Sequence, residues 1–380
     1  MEARLKADGS RVKAIGLVSG GLDSTLAVKV IRDQGIEVVA INFSTGFCRS
    51  DHHRAMGSFG ADQDPKRLRN EALRAGADLG VPVRVVDISQ DYMGVILKPK
   101  HGYGANMNPC VDCRAYMLDA ARVIMEEEGA DFVFTGEVLG QRPMSQHLRA
   151  MKVIEKDAGL KDRLLRPLSA QLLAATLPER EGWVDRQQLL RLQGRTRKPQ
   201  LKLAKDAELK DVPSPAGGCC YLTDEVYSSR FHDHLMHLEE DAAPDAKDVL
   251  LMKVGRHFRM GPKLKLVVAR DEAECNFLTH FFPETIKIEA MDVVGPLAVA
   301  QVRPGYKPTA LECETMGRMV ARYGKGKNEA KVTVVIRDGE DEEVFELAPM
   351  QEESEIAPFR IPEKFNPWDR KDGSDKKTSS

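Results

Sequence analysis

Short apolar runs alternate with longer segments of helical periodicity through the first part of the chain. The runs at residues 14–18, 37–43, 83–88 and 131–134 are typical of buried parallel strands. The segments between them place apolar residues three or four positions apart, which predicts helices that pack on a sheet. Strands that alternate with helices of this length predict an α/β fold with a doubly wound parallel sheet.

The pattern changes twice in the second part of the chain. Residues 146–210 are mostly helical in pattern, and residues 241–245 have the composition of a linker. Beyond them, apolar runs at 249–254, 264–269 and 286–288 surround a predicted helix. This arrangement indicates a second, smaller α/β domain.

The end of the chain contains a predicted hairpin and a polar tail. Apolar runs at 331–336 and 343–347 flank an Asp-Gly turn at residues 338–339. Beyond about residue 349 the chain is charged and poor in apolar residues, which predicts disorder. We therefore predict three segments: a first domain over residues 10–245 that includes the helical insert, a C-terminal domain over 246–348, and a disordered tail over 349–380.

A glycine turn joins the first predicted strand to the first predicted helix and reads Ser-Gly-Gly-Leu-Asp-Ser-Thr at residues 19–25. Its glycines let the backbone direct N–H groups toward a ligand, and the positive end of the helix lies directly behind them. It has neither the lysine of a Walker A loop nor the spacing of a dinucleotide-binding loop. A turn without a ligand is the alternative to the phosphate pocket that we predict. The pocket residues are Ser19, Gly20, Gly21, Asp23, Ser24 and Thr25.

The carboxyl ends of two predicted strands supply further candidates for a nucleotide site. Nucleotides bind at these strand ends in open α/β sheets. Asn42 and Phe43 end the second strand, and we expect them to face the adenine, although Phe43 is also a candidate for the core. Thr135 and Gly136 end the fourth strand, where we expect a second wall of the site or an ordinary tight turn.

Three of the seven cysteines carry the sulfur chemistry that we predict. Cys110 and Cys113 form a C-x-x-C pair at the start of a predicted helix, where the helix dipole favours thiolates. Cys219 and Cys220 follow a loop at 213–218 that is rich in proline and glycine. Adjacent cysteines rarely both reach one ion, so we expect one of this pair to join Cys110 and Cys113 and the other to pack beside the site. Three such thiols suit a 4Fe-4S cluster with one iron free of protein ligand, or a redox pair that carries a persulfide.

Two other polar segments are weaker candidates. Residues 48–54 contain Cys48 and two histidines but lack a second ligand pair at zinc-site spacing, so we interpret them as a loop. A basic segment at residues 191–205 indicates either a solvated helix face or a contact with an RNA backbone. Its basic residues are Arg191, Arg195, Arg197, Lys198, Lys202 and Lys205.

The motifs resemble those of known enzymes. The loop at 19–25 resembles the S-G-G-x-D-S loop of the N-type ATP pyrophosphatases, or PP-loop enzymes, which cleave ATP between the α and β phosphates. Residues 108–114 resemble the N-P-x-x-x-C-N segment of bacterial tRNA 2-thiouridylases, and residues 218–222 resemble their G-I-C-F-I segment. Arg114 replaces the family's asparagine, and Glu137 ends a T-G-E sequence where those enzymes carry a T-G-H type sequence.

This resemblance covers roughly residues 12–225 and implies an activity. It implies that ATP binds the loop, with Asp23 holding Mg²⁺ on the phosphates. Cys113 matches the family's first functional cysteine, Cys220 matches the second, and Cys110 adds the third thiol used by cluster-dependent tRNA thiolation enzymes. The implied reaction is ATP-dependent tRNA uridine thiolation, in which a uridine carbonyl is adenylated and its oxygen is replaced by sulfur. The alternative is a PP-loop enzyme that adenylates a small-molecule carbonyl for sulfur insertion or amide formation.

Charge and hydropathy bear on partners and location. The 380 residues contain 56 Lys and Arg against 58 Asp and Glu, a net charge of −2, which excludes a generally basic nucleic-acid coat but not a local basic surface. No signal-like segment or apolar run near the ~18 residues of a membrane span is present, so we expect a cytoplasmic protein without a membrane partner. The implied partners are tRNA and a sulfur donor, either sulfide or a persulfide carrier protein, and a homodimer is compatible with the sequence. Residues 254–259 also resemble part of a small RNA-binding domain attached to certain relatives.

Overall fold

The computed structural model describes residues 2–49, 70–209, 220–239 and 242–369. These residues form two compact units, one that ends at Cys220 and one that begins with the next residue. None of the described helices is long and apolar enough to cross a membrane.

Five strands form the sheet of the first unit: β1 (Lys13–Leu17), β2 (Glu37–Ser44), β3 (Val83–Asp87), β4 (Phe132–Thr135) and β5 (Leu164–Leu165). They are all parallel and lie in the order β3-β2-β1-β4-β5. Gly16 of β1 pairs with Ala40 on one side and with Phe134 on the other. The carboxyl ends of β1, β2 and β4 therefore lie along one edge of the sheet.

The α-helices of this unit that lie in the described residues are α1 (Leu22–Arg32), α2 (Glu71–Leu79), α3 (Ser89–Leu97), α4 (Cys110–Glu127), α5 (Leu148–Asp157), α6 (Leu177–Arg180) and α7 (Lys198–Asp206). Successive side chains of a strand point to opposite faces of its sheet. Ala14 of β1 accordingly joins a buried cluster with α1 and α2, whereas Ile15 joins a buried cluster with α4 and α5. Helices cover both faces, which confirms the predicted doubly wound α/β sheet.

Local signals in the sequence account for the ends of α2. The Asn70 side chain accepts hydrogen bonds from the N–H groups of Ala72 and Leu73, as expected of an N-cap. Gly80 ends the helix in the left-handed conformation, with φ of 59°.

The second unit contains a sheet of six strands: β6 (Arg256–Gly261), β7 (Leu264–Val268), β8 (Ile286–Ala290), β9 (Ala298–Val302), β10 (Val332–Asp338) and β11 (Asp341–Leu347). They are antiparallel and lie in the order β11-β10-β8-β9-β7-β6. Its helices are α8 (Glu225–Met236), α9 (Ala246–Leu251), α10 (Glu272–Phe281), α11 (Ala310–Arg322) and α12 (Glu353–Ile356). The predicted smaller domain of helices and strands is confirmed, and so is its terminal hairpin, in which Asp338 pairs with Asp341.

Two predicted boundaries of this unit need correction. It begins at Tyr221, before the predicted boundary at residue 245, because α8 belongs to it and the Tyr227 hydroxyl donates to the Val249 carbonyl at 3.3 Å. The predicted tail begins later than residue 349, because Met350 and Ile356 are 3% and 0% exposed and join the core of this unit. Residues 370–380 of that tail lie outside the described residues.

Candidate active site

The loop between β1 and α1 is shaped by one glycine. Gly20 has a φ of +77°, and a Cβ at this position would lie 2.2 Å from the carbonyl carbon of Glu71. Only glycine fits both the conformation and the space. The first N–H groups of a helix have no partners within it, and no described side chain caps those of α1. This end of α1 is therefore suited to a phosphate group.

Backbone contacts fix the hydroxyl groups of the same loop. Ser24 Oγ and Thr25 Oγ1 each donate to the Gly21 carbonyl at 3.0 Å. Ser19 Oγ lies 3.3 Å from Ser24 Oγ, and Ser19 is exposed to solvent. The structure thus brings the predicted pocket residues together in one open loop at the carboxyl edge of the sheet.

Asp23 is connected to two distant segments of the chain. Its Oδ2 accepts a hydrogen bond from Gln141 Nε2 at 2.7 Å, and Gln200 Nε2 donates to Gln141 Oε1 at 3.0 Å. Arg197 Nη2 lies 3.9 Å from the same Asp23 oxygen. The other oxygen, Oδ1, is buried and has no hydrogen-bond partner among the described residues. A carboxylate oxygen held in this way fits the preference of Mg²⁺ for oxygen ligands.

The end of β4 packs directly on the loop between β1 and α1. A Cβ at Gly136 would lie 2.5 Å from the Ser24 nitrogen and 2.6 Å from the Asp23 oxygen of the backbone. The Thr135 side chain is 2% exposed, and its hydroxyl donates to Glu137 Oε2 at 3.3 Å. Gly136 thus forms a wall of the loop, while Thr135 turns its hydroxyl toward a buried carboxylate.

That carboxylate, on Glu137, lies between two arginines. Arg166 Nε donates to Glu137 Oε2 at 2.9 Å, and Arg114 Nε lies 3.4 Å from Glu137 Oε1. Arg166 also pairs with Glu155. Burial raises the pKa of Glu137, but the charges of Arg166 and Arg114 outweigh it and hold that pKa below its ordinary value. Because Arg114 follows Cys113 on α4, this ion pair connects β4 to the cysteine helix.

The two residues predicted to face the adenine make contacts within the first unit. Asn42 Nδ2 donates to the Val18 carbonyl at 2.8 Å, which ties β2 to the residue before the phosphate loop. Phe43 is 8% exposed and packs in the buried cluster with Ile15 and Ile88. For Phe43 the structure favours the core alternative.

The C-x-x-C pair occupies the first turn of α4. Cys110 opens the helix, and its Sγ accepts a hydrogen bond from Asn108 Nδ2 at 3.0 Å. The Cys113 N–H donates to the Pro109 carbonyl at 2.8 Å. Asp112 points the other way, is 8% exposed and accepts from two backbone N–H groups of the preceding loop. The helix start is therefore rigidly joined to the loop that precedes it.

Cys220 and Cys113 are brought together around Tyr92 of α3. Tyr92 is 1% exposed, and its hydroxyl is hydrogen-bonded to the Cys113 thiol. Burial raises the pKa of Tyr92 well above its ordinary value, and the nearby Cys113 and Cys220 sulfurs raise it further. Cys219 lies outside the described residues, as does the predicted loop at 213–218.

The three thiols Cys110, Cys113 and Cys220 differ in how well they suit a single metal ion and an iron–sulfur cluster. Among the described residues, no three His, Cys, Asp or Glu side chains are arranged to hold a single metal ion. Thiolates are nevertheless the donors that iron–sulfur clusters require, so the donor chemistry of Cys110, Cys113 and Cys220 fits such a group.

The basic segment divides into two parts. Arg197 is partly buried and lies beside Asp23, as described above. The other members, on α7 and the strand-like segment before it, are exposed. They are Arg191, Arg195, Lys198, Lys202 and Lys205. The buried face of α7, with Gln200 and Ala204, packs toward α1.

Sequence reasoning missed five residues of this site. Gln141, Gln200 and Tyr92 carry no local signal, because their partners lie far away along the chain. The sequence indicates Arg197 only as part of a basic segment. Cys48, whose sulfur also lies near Tyr92, belongs to a segment that the sequence predicts as a loop, although its position just beyond the carboxyl end of β2 is a signal that could have identified it.

Two family descriptions match separate parts of the chain. Residues 9–171 match the family described as Thiamine biosynthesis protein (ThiI). Residues 255–360 match the NFACT protein RNA binding domain.

Curated relatives match over longer stretches. The tRNA-specific 2-thiouridylase MnmA of Pelobacter propionicus is 23% identical over 343 residues, which cover 84% of this chain and 82% of the relative. The enzyme of the same name from Methylobacterium sp. is 26% identical over 314 residues, covering 77% of this chain and 73% of the relative. Among solved structures, a 4-thiouridine synthetase in complex with RNA and bound ATP is similar with a TM-score of 0.30 and 21% identity, over 53% of this chain and 51% of that chain.

Proposed function

We propose that this chain, whose motifs resemble those of the PP-loop tRNA thiolation enzymes, transfers sulfur to a uridine of tRNA at the expense of ATP. The main support is the pair of contacts that Gly136 and Glu137 make just after β4, one with the β1–α1 loop and one with α4. Gly136 contacts the phosphate loop at Asp23, and Glu137 pairs with Arg114, which follows Cys113. A phosphate-binding loop and a reactive thiol are thus connected through two consecutive residues.

Adenylation is the proposed first step, because a uridine carbonyl is a poor electrophile and its oxygen is a poor leaving group. The carbonyl oxygen attacks the α phosphorus of ATP, the bond to the β phosphate breaks, and pyrophosphate leaves. The N–H groups at the start of α1 would stabilise the charge of the pyrophosphate. Asp23 Oδ1, which has no hydrogen-bond partner among the described residues, would hold the Mg²⁺ that offsets this charge.

Cys113 is the proposed carrier of sulfur in the form of the proposal that needs no metal. A persulfide donor transfers sulfane sulfur to Cys113, and the terminal sulfur of that persulfide attacks the adenylated carbon as AMP leaves with the oxygen. Cys220 thiolate then attacks Cys113 Sγ, the bond to the tRNA sulfur breaks, and thiolated uridine leaves. The two thiols become a disulfide and supply the two electrons that reduce the sulfane sulfur. A dithiol reductant restores both thiols.

A second form of the proposal places a 4Fe-4S cluster on Cys110, Cys113 and Cys220. When bound, such a cluster would supply sulfide at the iron that lacks a protein ligand. The hydrogen bond from Asn108 to Cys110 Sγ would orient that thiolate. Anaerobic reconstitution with iron and sulfide distinguishes the two forms. A protein that stays colourless and free of iron rules out the cluster, whereas loss of bound iron in Cys110→Ser supports it.

Contacts with tRNA are proposed for two regions. The exposed basic side chains of the first unit form a surface suited to a phosphate backbone. The second unit matches an RNA-binding family over residues 255–360, which supports a role in holding the same RNA. Replacement of Arg191, Arg195 and Lys202 by Glu tests the first region. If tRNA binding and thiolation persist unchanged, the proposed contact between this region and tRNA is wrong.

Analysis of tRNA nucleosides by mass spectrometry tests the function as a whole. We expect cells that lack this protein to lose one thiolated uridine, and the wild-type gene to restore it. Asp23→Asn and Cys113→Ser should not restore it. Cys313→Ser, which removes a thiol of the second unit, serves as the matched control and should restore it fully. Unchanged thiolated nucleosides in the deleted strain would refute the proposal.

A further inference from the structure

Cys48 lies directly opposite Cys220. The segment that follows β2 forms an isolated antiparallel bridge in which these two cysteines are partners. Directly opposed residues in antiparallel pairs have Cα atoms about 4.5–5.5 Å apart. A disulfide needs Cα atoms about 4.4–6.8 Å apart. Because both residues carry thiols, the bridge holds the backbone where a Cys48–Cys220 disulfide can form.

The same thiol lies beside the proposed sulfur carrier. The Phe47 ring packs edge-on against Tyr92, with ring centroids 6.2 Å apart. Tyr92 hydrogen-bonds Cys113, and the sulfurs of Cys113, Cys220 and Cys48 all lie close enough to raise the pKa of Tyr92. Cys48 Sγ is also 3.4 Å from Thr45 Oγ1, which holds its side chain in place. Three thiols from three separate segments therefore surround one buried hydroxyl.

We propose that Cys48 is a resolving thiol, which regenerates Cys113 by disulfide exchange with Cys220 after thiolation is complete. The inference rests on the persulfide form of the proposed function, in which each turnover leaves a Cys113–Cys220 disulfide. Cys48 thiolate attacks Cys220 Sγ, a Cys48–Cys220 bond forms, the Cys113–Cys220 bond breaks, and Cys113 leaves as the thiolate. The exchange moves no net electrons, because one disulfide replaces another. An external dithiol later reduces the Cys48–Cys220 disulfide.

This exchange gives the fold a functional reason for the bridge. Cys113 lies in the first turn of a helix, whereas Cys48 and Cys220 are partners in an isolated antiparallel bridge. The disulfide would rest where the backbone already has disulfide spacing. Cys113 would then be able to accept a new sulfane sulfur before the external reductant acts.

The first experiment uses the purified full chain without tRNA or ATP. The protein is oxidised with one equivalent of diamide, blocked with an alkylating reagent, digested and analysed by mass spectrometry. We expect a Cys48–Cys220 disulfide in the wild type and in Cys113→Ser. Cys48→Ser should lack it, and the matched control Cys275→Ser should keep it. Absence of this disulfide from the wild type and Cys113→Ser would overturn the inference, whatever the fate of the proposed function.

The second experiment follows turnover of the persulfide-loaded enzyme with ATP and tRNA, without reductant. We expect the wild type to end with the Cys48–Cys220 disulfide and an alkylated Cys113. Cys48→Ser and Cys48→Ala should complete the first turnover at the normal rate, which shows that they are folded, and should then retain Cys113–Cys220. Their second turnover, with reductant and donor present, should slow by about tenfold or more. A wild-type enzyme that retains the Cys113–Cys220 disulfide overturns the exchange. If the first experiment gives a Cys48–Cys220 disulfide but the enzyme does not thiolate tRNA, only the proposed function is refuted, and the pairing of Cys48 with Cys220 remains supported.

Discussion

Arg114 Nε lies 3.4 Å from Glu137 Oε1, and these two residues are the two departures from the thiouridylase motifs. Arginine stands where those enzymes have asparagine, and glutamate stands where they have histidine. The structure makes the two changes partners in one ion pair, with Arg166 as the second cation on the same carboxylate. The two departures therefore form a single contact between α4 and the segment after β4.

Removal of the Glu137 charge should destabilise the first unit strongly. Glu137→Gln leaves Arg114 without this counter-charge and weakens the pairing of Arg166, whose side chain is 2% exposed. Loss of one member of a buried ion pair costs about 3 kcal/mol. Arg114→Asn should cost less, about 1 kcal/mol, because its side chain is 29% exposed. Urea unfolding of both variants measures the two costs.

The double variant Arg114→Asn, Glu137→Gln completes a thermodynamic cycle and should cost less than the sum of the single changes. Arg122→Asn provides a control on the same helix, because Arg122 pairs only at the surface with Asp119 and Glu126. We expect no measurable change for Arg122→Asn. Equal costs for Glu137→Gln and Arg122→Asn would contradict the buried ion pair.

The β1–α1 loop and the sheet were predictable because their signals are local. Gly20 and Gly21 lie between an apolar run and a helical pattern, and the runs at β1, β2 and β4 are buried on both faces. These patterns determine strand, turn and helix without information from elsewhere in the chain. The C-x-x-C pair was likewise predictable as a helix start from the turn residues before it.

The contacts that complete the site were not predictable, because they join residues far apart in the sequence. Gln141 hydrogen-bonds Asp23, which lies 118 positions away in the sequence. Nothing in the sequence near either residue indicates that the two are partners. Cys48 meets Cys220 only through the fold. The boundary between the units was placed too late for a similar reason, since the Tyr227 contact with Val249 crosses a segment that resembles a linker.

Gly136→Ala should strongly slow the proposed adenylation step. Its Cβ would lie 2.5 Å from the Ser24 nitrogen, so the phosphate loop must move. A displacement of about 1 Å at a catalytic site costs about 100-fold in rate. We expect this loss in tRNA-dependent release of pyrophosphate, while transfer of a persulfide to Cys113 continues.

Gly94→Ala is the matched control for this change, because nothing lies within 4 Å of a Cβ at that position of α3. It should release pyrophosphate at the wild-type rate. If Gly136→Ala does the same, the close contact between β4 and the phosphate loop does not matter for the reaction.

Arg197→Ala should weaken ATP binding rather than tRNA binding. The Arg197 guanidinium lies 3.9 Å from Asp23 Oδ2, beside the loop proposed to bind the phosphates. A partly exposed cation near a triphosphate contributes about 1.4 kcal/mol, so the KM for ATP should rise about tenfold. Lys198→Ala removes the same charge from the adjacent, exposed position and should leave that KM unchanged. An equal rise in both variants would mean that only the overall charge of the segment acts on ATP.

Lys265 should make the stability of the second unit depend on pH in the neutral and alkaline range. It is 2% exposed, and its Nζ lies 3.9 Å from Asp233 Oδ2, a carboxylate that also pairs with Arg259. Burial lowers the pKa of Lys265 from 10.5 to about 7, against the attraction of Asp233 and with the repulsion of Arg259 and Arg230. Between these two values the unfolded chain binds a proton that the folded chain does not.

The free energy of unfolding should therefore rise with pH above about 7, by up to about 1.4 kcal/mol per pH unit, and this contribution should be constant below that pH. Lys265→Met replaces the side chain with an apolar one of similar length and should remove the rise. Urea unfolding, followed by circular dichroism at pH values from about 6 to about 9, measures the difference in the free energy of unfolding between wild type and variant. A difference that stays constant over this range would show that Lys265 keeps its charge in the folded unit, held by Asp233.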